Sequence, residues 1–189
     1  MEKSNIDEKI KLLTGSGMWH TREAEGLPSV HLSDGPHGLR KQEEKERQNN
    51  VSLVSTCYPT ASALACSWDV TAAERLGRAV AKEAWNADVA VLLGPGINMK
   101  RSPLCGRNFE YFSEDPFLAG RLGAAYVSAA QGEDVAVSLK HFAANNQETN
   151  RQTANSQIDE RALREIYLSA FEYVVKTARP ATIMASYNR

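Results

Sequence analysis

Short apolar runs alternate with amphipathic stretches along this chain, and the period of the pattern changes between them. Residues 89–93, 135–139 and 181–185 are brief and apolar, with β-branched members, as buried strands are. Their first positions stand 46 and 46 apart. Between the last two runs the period lengthens: Leu163, Ile166, Tyr167, Ala170, Phe171, Val174, Val175 and Ala178 recur at helical spacing, with Asp159 placed to cap them. Asp115 followed by Pro116 opens a second helix, which carries Leu118, Leu122, Ala125 and Ala129 on one face and stops at Gly132. A third begins near Asp69, where Thr71 and Glu74 have the spacing of a capping box, and runs to about Ala87. Residues 29–32 and 61–66 are weaker strand candidates, and the charged stretch 41–50 predicts a solvated loop.

Alternating strand and helix predicts a parallel sheet with right-handed crossovers, either open and doubly wound or closed into a barrel. Polar residues follow the strand candidates repeatedly. Asp34 comes after the first, Gly94-Pro95-Gly96 after the third, Lys140 and His141 after the fourth, and Tyr187 and Asn188 after the fifth. That recurrence favours a (β/α)8 barrel, whose active site lies on the C-terminal face of the strands, over an open sheet with one switch point. The Gly94-Pro95-Gly96 turn is not G-x-G-x-x-G, so a dinucleotide cofactor is not expected.

Composition bounds the rest. With 189 residues, 42% of them apolar and 24% charged, the chain can bury a core and reads as globular. A net charge of −1 gives no electrostatic reason to expect nucleic acid or an anionic membrane as partner. The opening MEKSNIDEKIKLL is amphipathic and lacks the apolar core of a signal peptide, and Cys57, Cys66 and Cys105 are odd in number and widely spaced. Both point to a cytoplasmic protein with reduced thiols. His20, His31 and His37 have no metal-ligand spacing, and no metal is expected.

The densest chemistry lies in SLKHFAANNQETNR, residues 138–151, where an apolar strand gives way to amides and Lys140, His141 and Arg151 gather at its polar end. In a regular strand Lys140 and His141 point to opposite sides, so a shared pocket demands a local irregularity there. Bland readings stand beside the functional ones. Asp34 in Asp-Gly-Pro is equally a turn residue. Arg107 reads as a surface arginine pairing with Glu110 or Glu114. Asp115 and Asp159 read as helix caps rather than catalysts.

SLKHFAANNQETNR is one of five collinear motifs. The others are DGPHGLR (34–40), CYPTASALACSWD (57–69), GPGINMKRSPLCGRNFEYFSEDP (94–116) and MASYNR (184–189). From the Trp19 region to the last residue, the chain resembles the N-terminal barrel domain of glycoside hydrolase family 3, particularly its bacterial β-glucosidases. The resemblance implies that Asp34 holds hydroxyls of the sugar at the scissile bond, that Arg107, Lys140, His141 and Arg151 hold the others, and that Tyr187 lies close to the reaction centre. Such a site suits a pyranose, a ring of hydroxyls that are each donor and acceptor. A carboxylate flanked by cations can fix them through charge-assisted bonds of roughly 1.5 to 3 kcal/mol each.

Retaining glycosidases also need a nucleophile and an acid/base carboxylate about 5 to 5.5 Å apart. In the resembled family the nucleophile is an Asp in a Ser-Asp-Trp context on a later strand, and the acid/base comes from further downstream. The expectation is therefore no catalytic residue within the chain, both carboxylates lying beyond Arg189. Residues 1–189 are expected to form a partial N-terminal domain, an incomplete TIM-type (β/α)8 barrel of about the first five strands, with no second domain and with an exposed edge at 181–185. The implied substrate is a terminal β-linked glucoside or oligosaccharide, the implied partner is the missing C-terminal part of the same enzyme, and no cofactor is implied. A non-catalytic sugar-binding module or a fragment of a β-xylosidase are the alternatives. A β-N-acetylglucosaminidase is set aside, because that branch resembles KHFPGHG where this chain has KHFAANNQE.

Overall fold

In a computed structural model, which describes residues 6–24, 26–42 and 51–189, twelve elements follow in order. They are α1 (Ile6–Leu12), β1 (Leu32–Asp34), α2 (Ala61–Ala65), α3 (Val70–Asn86), β2 (Val91–Leu93), a 3₁₀ turn (Asn108–Glu110), α4 (Pro116–Gln131), β3 (Ala136–Phe142), α5 (Glu160–Ala162), a π turn (Leu163–Tyr167), α6 (Ser169–Ala178) and β4 (Thr182–Ala185). Residues 43–50 of the expected charged loop lie outside the described residues.

The three helices expected from periodicity are present, and acidic caps start each of them. Asp115 accepts from the amides of Phe117 at 3.0 Å and Leu118 at 3.2 Å, and Gly132 closes α4. Asp69 accepts from the Thr71 amide at 2.8 Å, so the cap of α3 is Asp69 and the expected Thr71–Glu74 capping box does not form. Asp159 caps as expected, accepting from Ala162 at 2.9 Å, but the helix behind it is not continuous. The Leu168 amide bonds to the Leu163 carbonyl at 2.8 Å, five residues back, and this wide turn separates α5 from α6.

Two strand expectations are corrected. Residues 61–66 form the short helix α2, not a strand: Thr60 accepts from the Ala63 amide at 3.2 Å, and Ala61, Leu64 and Ala65 bury one helical face. Alanine's high helix propensity decides an apolar run that period alone leaves ambiguous. The first strand lies at Leu32–Asp34 rather than 29–32, because that is where the backbone registers with β2, pairing Leu32 with Val91 and Asp34 with Leu93. The described residues therefore contain four strands of the sheet, not five.

All four strands are parallel, in the order β1-β2-β3-β4. α3 packs on α4 and α4 on α6, so neighbouring crossovers lie side by side. Val80, Leu122, Val127, Val135, Val137, Leu139, Phe171 and Val174 fill the space between helices and sheet. Burying a side chain of this kind contributes roughly 1.5 to 3 kcal/mol. The helices approach closely where glycine allows it: a Cβ on Gly77 of α3 would stand 2.5 Å from the Tyr126 carbonyl oxygen of α4. At the far edge, Ile183 is 45% exposed beside Phe142 and Val175, over a groove of about 310 Å³ that Leu168 and Phe171 also line. No helix among the described residues is long and apolar enough to cross a membrane.

Candidate functional site

The C-terminal ends of the strands bring together side chains that are far apart in sequence. Asp34 is the last residue of β1, and Lys140 and His141 lie near the end of β3. β3 is irregular at that point: Lys140 pairs with Met184 and Phe142 with Ala185, so two steps on β3 match one on β4 and His141 is the extra residue. The Lys140–His141 and Phe142–Ala143 peptide bonds are cis. The irregularity that a shared pocket demands is present, and both residues lie at the same end of the sheet, each at the head of its own set of polar contacts.

Lys140 Nζ lies between two carboxylates, 3.3 Å from Asp34 Oδ1 and 3.4 Å from Glu110 Oε2. The other oxygen of Glu110 accepts from Arg107 Nε. Arg107 therefore pairs with Glu110, as the bland reading had it, yet not at the surface. Glu110 and Lys140 each keep only 3% of their side-chain area exposed, and the pair joins Arg107 to the strand ends. Asp34 remains more open, at 29%.

His141 anchors a second set of contacts. Its backbone is clamped by Asn98, whose Oδ1 accepts the His141 amide at 2.8 Å and whose Nδ2 donates to the His141 carbonyl at 2.8 Å. The ring Nδ1 is 3.1 Å from the Tyr111 hydroxyl. Asn145 donates to that hydroxyl at 2.9 Å and to Glu148 at 3.1 Å, and Arg151 donates to Glu148 at 2.9 Å. The Arg151 guanidinium in turn sits 5.1 Å from the centre of the Tyr187 ring. All six expected site residues, Asp34, Arg107, Lys140, His141, Arg151 and Tyr187, thus take part in one or other of these two contact sets, at the same end of the sheet.

Burial, followed by the nearby charges of Arg107, Lys140 and Arg151, pushes His141 from its ordinary 6.5 down to about 2, so the ring is neutral at physiological pH. Burial works against the Arg107 charge, but the hydrogen bond and charge of Glu110 outweigh it and raise the guanidinium above its usual value. Burial also raises the Tyr111 hydroxyl well above the ordinary tyrosine value, so it stays protonated and able to donate.

Glu110, Tyr111, Asn98 and Asn145 belong to the cluster without having been picked out as site residues from the sequence. The signal for Glu110 was its position three residues after Arg107. Asn145 likewise precedes Glu148 by three. No group of three or more His, Cys, Asp or Glu side chains that could hold a metal ion occurs among the described residues. Chemically, this end of the sheet gathers cationic donors, one neutral imidazole and one carboxylate that stays more open than its neighbours, groups that together can donate to and accept from hydroxyls.

Similarity to known proteins agrees with that chemistry. Residues 36–189 match the glycosyl hydrolase family 3 N terminal domain. The chain is 50% identical to thermostable β-glucosidase B of Acetivibrio thermocellus, over 100% of this chain and 26% of that protein. It is 49% identical to an exo-α-(1→6)-L-arabinopyranosidase of Bifidobacterium longum, over 97% of this chain and 25% of that protein. Its fold superposes on β-glucosidase 3B of Thermotoga neapolitana in complex with glucose, with a TM-score of 0.91 and 39% identity, covering 99% of this chain and 28% of that one. The β-glucosidase of Kluyveromyces marxianus in complex with glucose gives a TM-score of 0.92 at 44% identity, covering 99% and 22%. The chain spans about a quarter of the length of these relatives. On the extent of the family match and the identity to these enzymes, the chain belongs to glycosyl hydrolase family 3, in its N-terminal domain.

Proposed function

We propose that the chain is the N-terminal part of a retaining β-glucosidase that hydrolyses terminal β-linked glucosides, and that it carries most of the subsite holding the glucose next to the scissile bond. The observation that carries this is the cluster in which Lys140 stands between Asp34 and Glu110 with Arg107 attached, while Arg151 and His141 approach through Glu148, Asn145 and Tyr111. Asp34 and the three cations offer the acceptors and donors that sugar hydroxyls require, and Tyr187 beside Arg151 supplies a ring face at the rim.

In this proposal the nucleophile and the acid/base come from sequence after Arg189, on later strands of a (β/α)8 barrel and beyond. The state of the carboxylates supports that: Glu110 is engaged by two cations, Glu148 by Arg151 and Asn145, and Asp34 by Lys140. Carboxylates committed in this way serve as positioning groups rather than as the free pair about 5 to 5.5 Å apart that retention uses.

A second reading has its own support. Two relatives at 49% and 48% identity are exo-α-(1→6)-L-arabinopyranosidases, so the preferred glycone in the whole enzyme is a pentopyranose in that case. Calorimetric titration of the protein with glucose and with L-arabinose separates the two. Glucose binding that is lost in Asp34→Asn is the expected result, stronger binding of the pentose selects the second reading, and binding of neither sugar overturns both. Turnover of an aryl β-glucoside by the chain alone would sink the assignment of the catalytic carboxylates to later sequence.

A further inference from the structure

The contacts of His141 are consistent with a single proton arrangement on its ring. Glu148, held by Arg151 at 2.9 Å, takes a 3.1 Å bond from Asn145 Nδ2. A carboxylate only accepts, so the face of the Asn145 amide turned toward it is the NH₂ group. The same nitrogen lies 2.9 Å from the Tyr111 oxygen and donates there too. Tyr111 is fully buried, at 0% exposure, and with a donor already supplied its own proton needs an acceptor. His141 Nδ1 is in reach at 3.1 Å.

Asn98 is the weaker partner for that nitrogen. Its Oδ1 is engaged by the His141 amide at 2.8 Å and stands 3.4 Å from the ring Nδ1, long for a hydrogen bond. With a proton on Nδ1, the Tyr111 hydroxyl would be left without an acceptor among the described residues.

From this chain of contacts we propose that Tyr111 is a positioning residue that fixes His141 as the Nε2–H tautomer, making the imidazole a one-way hydrogen-bond donor to the bound ligand. The identity of that ligand as a sugar hydroxyl rests on the function proposed above; the tautomer does not. Burial and three nearby cations keep the ring from taking a second proton. The hydroxyl opposite Nε2 accepts, and its own proton goes to another group. A fluorine at that sugar position, which still accepts, is tolerated better than hydrogen, which cannot.

The test uses the intact chain labelled with ¹⁵N at histidine and examined by magic-angle-spinning NMR, which does not require a monodisperse sample. The sequence holds four histidines, and the signals of His141 are those that vanish in His141→Gln. At neutral pH and without sugar, the expected spectrum has a bare Nδ1 and a protonated Nε2, whereas a protonated Nδ1 overturns the proposal. Tyr111→Phe removes the proton that Nδ1 accepts, and a severalfold shift of population toward Nδ1–H, turned to Asn98 Oδ1, is expected. An unchanged tautomer in that variant, with the other three histidine signals intact, overturns the role of Tyr111. The wild-type spectrum decides the tautomer even where the variant does not fold. The expected tautomer together with no response to glucose supports this proposal and counts against the sugar reading alone.

Discussion

Lys140 Nζ lies 3.3 Å from Asp34 Oδ1, although β1 and β3 are not neighbours and β2 runs between them. The contact crosses the end of β2, which stops at Leu93, one residue before the turn at Gly94 and Pro95. Removing Lys140 therefore acts on two strands at once. Lys140→Met leaves Glu110 buried with Arg107 alone and leaves Asp34 without its cation. Breaking one partner from a buried ion pair costs about 3 to 5 kcal/mol, and because Arg107 still serves Glu110 the expected loss in unfolding free energy is about 3 kcal/mol. Urea denaturation measures it. A loss below about 1 kcal/mol would show that Arg107 suffices for Glu110.

Acid should destabilise the fold through His141. Its pKa is about 2 when folded against an ordinary 6.5, so between those values the unfolded chain holds a proton there that the folded chain does not. Stability from this group is fully present above about 6.5 and falls as pH drops, by about 1.4 kcal/mol for each pH unit below that point. The measurement is the difference in urea midpoint between about pH 7 and pH 5 for the wild type and for His141→Gln. The variant is expected to lose roughly one proton's worth of slope, and equal slopes would assign the acid sensitivity elsewhere.

Gly77→Ala tests the contact between α3 and α4. Alanine is favoured over glycine inside a helix by about 1 kcal/mol, so propensity alone predicts a more stable protein. The added Cβ would meet the Tyr126 carbonyl at 2.5 Å, a backbone atom that cannot swing aside. The expected result is a net loss of about 1 to 3 kcal/mol, read from the melting temperature. A stabilised variant would mean that the two helices can part without penalty.

Asp115→Ala and Asp159→Ala separate capping from chemistry. Each removes a carboxylate that accepts helix-start amides, and each is expected to lower stability by about 1 kcal/mol while leaving glucose affinity unchanged. A change in affinity with unchanged stability would reassign the residue to the site.

The groove beside β4 predicts association. Phe142, Val175 and Ile183 are 45%, 38% and 45% exposed on one surface next to β4, whose outer edge pairs with no strand among the described residues. Ile183→Lys combined with Val175→Glu is expected to shift sedimentation toward monomer. A wild-type chain that already sediments as a monomer would contradict the expectation.

Much of this architecture was legible in the sequence because period and punctuation agree: the acids before the two long helices α3 and α4 and before the interrupted third became caps, and polar residues after the strand runs gathered at one end of the sheet. Residues 61–66 misled because a short apolar run fits either period, and the preference of alanine for the helix settles it only once Leu64 has a core to face. Lys140 and His141 were legible as a pair only with the bulge that their adjacency demanded. Glu110, Tyr111 and Asn145 were obscure for a different reason. They act by contacting other site residues, as Glu110 does Lys140, Tyr111 does His141 and Asn145 does Tyr111, and local spacing does not encode those partners.

In this sheet, order in space repeats order along the chain: β2 pairs with β1, β3 with β2 and β4 with β3. During synthesis each new strand can dock on one that has already left the ribosome, and no strand has to be inserted between two others. Such a sheet can grow from its N-terminal strand at one moving edge, and the Lys140 bridge to Asp34 can close only once the third strand is in place.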